Sequence, residues 1–221
     1  MTLPLGLLLL GAYLMGTIPF GLIVSKLKGV DIRKQGSGNY GATNVGRVIG
    51  RPWGLLVLVL DISKAVTTML VARWACERYQ LPFANPTVTA IDAVLLGAGA
   101  CCVLGNTAPF YLGFKGGKGV ATSLGVILGI WPLLTIAGLL AFAVWAVVTK
   151  ASGYVSLGSI AAAVSLPPLF CGVAWWRGDD IGRHWPLLAL TIILAIVILI
   201  RHRTNISRLL AGTENRKGKP A

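Results

Sequence analysis

Between Leu3 and Val24 the chain carries no charged residue, and a run of that length leaves few folds open to it. At a rise of about 1.5 Å per residue, about 20 apolar residues in a helix cross the roughly 30 Å of bilayer hydrocarbon. Within that layer every backbone N–H and C=O must find its partner inside the protein, so spanning segments are helices or closed barrels. The run lacks the basic leader and small-residue cleavage site of a signal peptide, and it reads as a retained span. Further apolar runs at 53–73, 88–106, 153–174 and 186–202 make the chain polytopic. A charged fraction of 12% agrees, because soluble domains carry about 25%. Cys76, Cys101, Cys102 and Cys171 show no C-x-x-C spacing and read as small apolar packing residues.

Residues 120–148 are ambiguous. As one helix the stretch would be about 43 Å long, beyond the hydrocarbon. Trp131–Pro132 lies inside it, and proline breaks or starts a helix. The stretch is therefore one kinked helix or two, and charge favours two. With seven crossings, fifteen of the twenty Lys and Arg fall on one side. Four (Arg73, Arg78, Arg177, Arg183) fall on the other, and Lys64 lies within a span. With six crossings the division is ten against nine. Lys and Arg accumulate in cytoplasmic loops. The expected fold is an all-α membrane protein of about seven transmembrane helices, N-terminus outside and C-terminus cytoplasmic. One integral membrane domain is expected over 1–210, followed by a basic polar tail over 211–221.

The net charge of +13 suits nucleic acid, anionic lipid or an anionic substrate. Because the basic residues lie in loops between spans, nucleic acid is not an expected partner. Two of these loops are rich in glycine. "GSGNYGATNVGR", Gly36–Arg47, holds G-x-G-x-x-G at Gly36, Gly38 and Gly41. A dinucleotide fingerprint requires a βαβ unit around it, whereas apolar spans flank this loop. "GFKGGKGVATS" puts Gly119 where a Walker loop needs Ser or Thr after its lysine. The chemistry behind both patterns survives: glycine-rich turns aim N–H groups into concavities that hold phosphate oxygens. The first loop adds Ser37, Asn39, Thr43, Asn44 and Arg47. The second adds Lys115 and Lys118, then opens a helix whose N-terminus favours anions. In a third segment, "RHRTNISRLLAGTEN", residues Arg201, His202, Asn205 and Arg208 recur at helical spacing.

Each feature alone has a plainer reading, as a turn or as a topology signal. All three segments nevertheless fall on the basic side of the seven-span arrangement, which points to a phosphate site at the membrane surface. Asp61 and Lys64, one turn apart within a span, either neutralise each other or support that site.

In this order the three segments resemble the bacterial acyl-phosphate-dependent glycerol-3-phosphate acyltransferases, integral membrane enzymes of phospholipid biosynthesis. The resemblance covers nearly the whole chain. It implies transfer of an acyl group from acyl phosphate to the 1-hydroxyl of sn-glycerol 3-phosphate, giving 1-acyl-glycerol 3-phosphate and phosphate. It implies no cofactor and no metal, a multi-pass location in the bacterial cytoplasmic (inner) membrane, and an active site facing the cytoplasm. By the same resemblance, Ser37, Arg47, Lys118, His202 and Asn205 are catalytic. Gly38, Asn39, Thr43, Asn44, Lys115, Gly116, Gly117 and Gly119 bind substrate phosphate, with Asp61, Lys64 and Glu214 in support. The two substrates and the lipid bilayer are the expected partners, with contact to the enzyme that makes acyl phosphate as a further one. One departure stands out: family members carry Gly-His shortly before the GGKG segment, where this chain has Gly105–Asn106. Either that histidine is dispensable or the activity is altered.

An acyl phosphate is a mixed anhydride and arrives activated, so the protein has to hold two anions, align a hydroxyl and stabilise an oxyanion. The base is either His202, whose ordinary pKa lies near neutrality, or a phosphate oxygen of the substrate, with His202 and Asn205 orienting. A transporter for an organic phosphate would use the same basic lining. Such folds carry paired repeats and broken helices in both halves, and the glycine loops here are not repeated.

Overall fold

The computed structural model describes residues 2–80 and 87–216, and among these all regular structure is helical. In chain order the helices are α1 (Thr2–Thr17), α2 (Phe20–Leu27), α3 (Ala42–Val48), α4 (Arg51–Tyr79) and α5 (Val88–Thr107). They continue with α6 (Val120–Leu128), α7 (Leu133–Ser152), α8 (Val155–Arg177), α9 (Trp185–Arg201) and α10 (Arg203–Leu210). Five stretches are long and apolar enough to cross a membrane: Pro4–Leu27, Arg51–Tyr79, Val88–Leu112, Leu133–Ser152 and Val155–Arg177. α9 and α10 make a sixth if counted together, bent by 59° at His202.

The ambiguous stretch is two helices. α6 stops at Gly129, and Pro132 stands at the N-cap of α7. With nine residues α6 is only about 13 Å long and cannot cross the hydrocarbon alone. In the first span, Pro19 has no N–H to donate, and Leu22 N–H turns to the Pro19 carbonyl. The Ile18 carbonyl is taken instead by Lys64 Nζ at 2.8 Å, while Lys64 also lies 2.7 Å from Asp61 Oδ1. The ammonium is poorly aligned with that oxygen, which has no directed hydrogen-bond donor among the described residues. Of the expected tail, residues 217–221 lie outside the described residues, and Glu214 packs back against α10.

α1 packs on α5, α4 on α6, α7 on α8, and α9 on both α5 and α8. Met69, Leu95, Cys102, Val126, Leu134, Phe170 and Leu190 are fully buried between them. Lipid is as apolar as these side chains, so association depends on close packing and on small residues that let backbones meet. The outer surface exposes Leu7, Leu10, Leu70, Val147 and Ile196, as a lipid-facing surface does.

At Gly54 two backbones meet beside the basic loops. A Cβ there would lie 2.6 Å from Gly46 Cα and 2.7 Å from the Ala42 carbonyl oxygen, so α3 rests directly on α4. Gly54→Ala is expected to destabilise the protein by about 1–3 kcal/mol, since both neighbours are backbone and cannot give way. Gly172→Ala on α8 meets nothing within 4 Å and serves as the neutral control. Thermal unfolding of both variants in detergent checks the contrast. Equal melting temperatures would show that α3 is not held by this contact.

Candidate active site

The first glycine loop is shaped by its own asparagines. Gly36 and Gly38 have φ of +58° and +70°, a region that glycine enters without strain. Asn44 Oδ1 accepts from Ser37 N–H at 2.9 Å, and its Nδ2 donates to the Gln35 carbonyl at 3.0 Å. Asn39 Oδ1 accepts from Gly41 N–H at 2.7 Å. Asn44 therefore organises the loop and has little left to offer a ligand. Ser37, Thr43 and Arg47 remain at the cavity wall, and Arg47 pairs with no carboxylate among the described residues.

The second loop is clamped from both sides. Gly116 N–H donates to the Thr107 carbonyl at 3.1 Å, and Gly117 N–H to the Asn106 carbonyl at 2.9 Å. Arg201 donates through Nη2 to the Gly116 carbonyl at 2.7 Å and through Nε to the Gly117 carbonyl at 3.1 Å. Tyr40 hydroxyl also donates to the Asn106 carbonyl, at 3.2 Å, and burial pushes its pKa up to about 12. Both glycine N–H groups are thus already engaged, and the loop presents Lys118 and the start of α6 rather than a ring of free amides.

Lys118 Nζ donates to Asn205 Oδ1 at 2.5 Å, and Asn205 Nδ2 donates to Glu214 Oε1 at 2.6 Å. Ser156 Oγ donates to the same oxygen at 2.9 Å, and Arg208 Nε to Glu214 Oε2 at 2.8 Å. The network joins the loop, α8, α10 and the tail. Burial alone would raise the Glu214 pKa, but the bonds from Arg208, Asn205 and Ser156 outweigh it and hold the carboxyl below its usual range. Lys118 is lowered to about 8, chiefly by burial, with Glu214 opposing the shift. His202, at the junction of α9 and α10, is lowered to about 4 by burial and by the neighbouring Lys118 charge. Its Nδ1 donates to the Ile198 carbonyl at 2.8 Å, which leaves Nε2 as the lone-pair nitrogen of a neutral ring.

These groups line one cavity of about 570 Å³. Its charged end holds Ser37, Arg47, Arg51, Lys118, His202 and Asn205. From there it continues between α4, α6, α7, α8 and α9 into an apolar arm walled by Leu58, Leu124, Ile127, Phe142, Leu166 and Leu194. Asn39, Thr43, Asn44, Asp61, Gly117, Gly119 and Glu214 also reach it. Four expected residues do not. Gly38 is a turn residue whose N–H returns to the Gln35 carbonyl. Gly116 is sealed against Thr107, Lys115 is exposed beyond the loop, and Lys64 is committed to Asp61 and Ile18. Sequence reasoning passed over Tyr40, Arg51, Ser123 and Ser156. Tyr40 lies inside the first motif, but no spacing signal marks Ser156, which reaches Glu214 across 58 residues of chain. Asn106 lines the cavity, and its side chain makes no hydrogen bond among the described residues.

A charged chamber opening into an apolar arm suits a molecule with an anionic head and an alkyl chain. The comparisons with known proteins agree. The family described as "Glycerol-3-phosphate acyltransferase" matches residues 6–212. A glycerol-3-phosphate acyltransferase of Geobacter sulfurreducens is 43% identical over 205 residues, covering 93% of both chains. One of Aquifex aeolicus is 42% identical over 211 residues, covering 95% of this chain and 97% of that one. Among solved structures, PlsY (YgiH), an integral membrane glycerol 3-phosphate acyltransferase, matches in its glycerol 3-phosphate form with a TM-score of 0.81 and 38% identity. Its lysophosphatidic acid form matches with a TM-score of 0.79, and each match covers 97% of this chain and 96% of that one.

The low Lys118 pKa sets a pH dependence. A lysine charge is lost as pH rises through its pKa, so affinity for an anion is expected to fall as pH rises through about 8. A bound dianion raises that pKa and moves the limb upward at saturation. Lys118→Arg keeps its charge throughout and should abolish the limb. Titration of inorganic phosphate binding at neutral and alkaline pH checks this. An identical alkaline limb in the Arg variant would assign it to another group.

Proposed function

The chain belongs to the glycerol-3-phosphate acyltransferase family, and from that premise we propose that it acylates the 1-hydroxyl of sn-glycerol 3-phosphate, using acyl phosphate as donor. The products are 1-acyl-glycerol 3-phosphate and phosphate, the first acylated intermediate of phospholipid synthesis and the spent leaving group. The observation that carries this reading is the continuous cavity, which holds Arg47 and Lys118 at one end and an alkyl-sized apolar arm at the other. In this reading Ser37, Arg47 and Lys118 hold phosphate charge, with Asn39 and Thr43 beside them. Asn44 and Glu214 keep the two halves of the site in place, and Asp61 and Lys64 support the wall and the break after α1.

The acceptor hydroxyl attacks the donor carbonyl, and its proton must leave. A His202 pKa of about 4 makes the ring a weak base, weaker than phosphate, whose second pKa is about 6. We therefore assign the proton to a phosphate oxygen of the substrate, with His202 Nε2 and Asn205 orienting the reactants. The role is positional, so the family's other histidine is not required where this chain has Asn106.

The site lies in the bacterial inner membrane at its cytoplasmic face, within a membrane domain over 1–210 to which the tail lends Glu214. An enzyme making acyl phosphate would deliver it at this face. Support for the orientation comes from helix direction. α2 and α9 end, and α4 begins, at the level of the charged chamber. That direction supports the reading in which the two termini lie on opposite sides, in a seven-segment arrangement that counts short α6.

Purified protein is expected to release phosphate from acyl phosphate only when glycerol 3-phosphate is present. Asn106→His should change kcat by less than about tenfold, whereas His202→Ala should cost on the order of 100-fold by misplacing the reactants. A large gain in Asn106→His would return the base to that position. A reporter fused after Ala221 is expected to behave as cytoplasmic, and an external signal would invert the whole arrangement.

A further inference from the structure

The charged chamber and the apolar arm meet at the first turn of α6, and the side chain at that seam is Ser123. It is 2% exposed, lines the cavity, and has no hydrogen-bond partner for its Oγ among the described residues. Other buried helical hydroxyls behave differently. Thr68, Thr107, Ser159 and Thr191 each donate to a carbonyl three or four residues back. Ser25, Thr122 and Thr149 also lack partners, but none of them lines the cavity. A buried hydroxyl without a partner costs free energy in the empty protein, and a ligand atom that accepts from it recovers that cost.

The same turn offers further donors. α6 starts at Val120, its N-cap Gly119 supplies no side-chain cap, and the first N–H groups of a helix have no partner within it. Val120 and Ala121 both line the cavity. Helical side chains tilt toward the N-terminus, which brings the Ser123 hydroxyl level with those N–H groups. The positive end of the helix dipole adds to them.

The shape of the donor decides which of its atoms falls there. An acyl phosphate has an anionic head and an alkyl chain, and the group between them is the carbonyl. Ser123 lines the cavity between Lys118 and the chain-lining Leu124, Ile127 and Leu166. A phosphate at the lysine and a chain along those apolar side chains would therefore bring the carbonyl oxygen to Ser123. We propose that the Ser123 hydroxyl, together with the first N–H groups of α6, is the oxyanion site of the transfer. The proposal rests on the acyl-phosphate reading above. As the acceptor oxygen bonds to the carbonyl carbon, the carbonyl electron pair moves onto its oxygen, which accepts from Ser123. That pair then returns, the bond from carbon to the bridging phosphate oxygen breaks, and phosphate leaves with its electrons and the hydroxyl proton. Ser123 keeps its own proton throughout.

Ser123→Ala tests the assignment. Removing one oxyanion donor is expected to lower kcat about 100-fold. KM for both substrates should hardly change, because the bond strengthens in the transition state. The melting temperature should stay level or rise, since an unpaired buried hydroxyl has gone. A carbon-13-labelled acylphosphonate, whose C–P bond does not break, gives an independent reading. Its infrared carbonyl stretch should lie lower when bound to wild type than to Ser123→Ala. A kcat within about twofold of wild type, a loss carried by KM alone, or a loss matched by a lower melting temperature overturns the proposal. An identical carbonyl band in the two proteins does so too. Wild-type protein that releases no phosphate from acyl phosphate would instead remove the donor reading, so the two failures are distinguishable.

Discussion

The ammonium of Lys118 sits where burial disfavours its charge, and much of the site exists to hold it there. Its direct partner is neutral Asn205, and the compensating carboxylate of Glu214 stands one residue further away. A direct Lys–Glu pair would neutralise the charge and leave nothing for a substrate anion. Placing an amide between them fixes the ammonium in position while its charge remains available. Glu214 is in turn held by Arg208 and Ser156, so the tail, α10 and α8 all converge on a single lysine.

The clamp on the second loop follows the same logic. Arg201 takes the Gly116 and Gly117 carbonyls, and the end of α5 takes their N–H groups. With both faces of the peptide occupied, the loop cannot drift, and Lys118 and α6 leave it in fixed directions. The glycines are needed for fit: a Cβ on Gly116 would overlap the Thr107 backbone, and one on Gly117 would lie 3.0 Å from Asn106 Oδ1. These glycines shape the chamber, while Arg47, Lys118 and the first turn of α6 line it with charge and donors.

The cavity also gives the proposed reaction a place for both a water-soluble acceptor and an alkyl donor. Its charged end draws on the surface loops, where ions are hydrated, and its apolar arm runs between helices whose outer faces meet lipid. Ser123, buried and neutral, lies between these regions, where a full charge would be costly but a hydrogen bond is strong.

Apolar run length and loop charge, read from the chain alone, determined membrane residence, helical structure and the meeting of three basic segments. Those properties depend on local composition, because hydrocarbon thickness and the cost of burying charge act on each segment separately. The break near Pro132 was likewise visible as two alternatives, and tertiary packing chose two helices. Only the folded chain decided that Asn44 serves its own loop, that Gly116 and Gly117 have no free N–H, and that Lys64 turns away to Ile18. It also decided that Ser156 and Ser123 face the cavity. Spacing along a chain shows which residues carry charge or donors. Whether a donor is free depends on partners 58 to 87 residues away, as in Ser156 with Glu214 or Lys118 with Asn205, and that only packing determines.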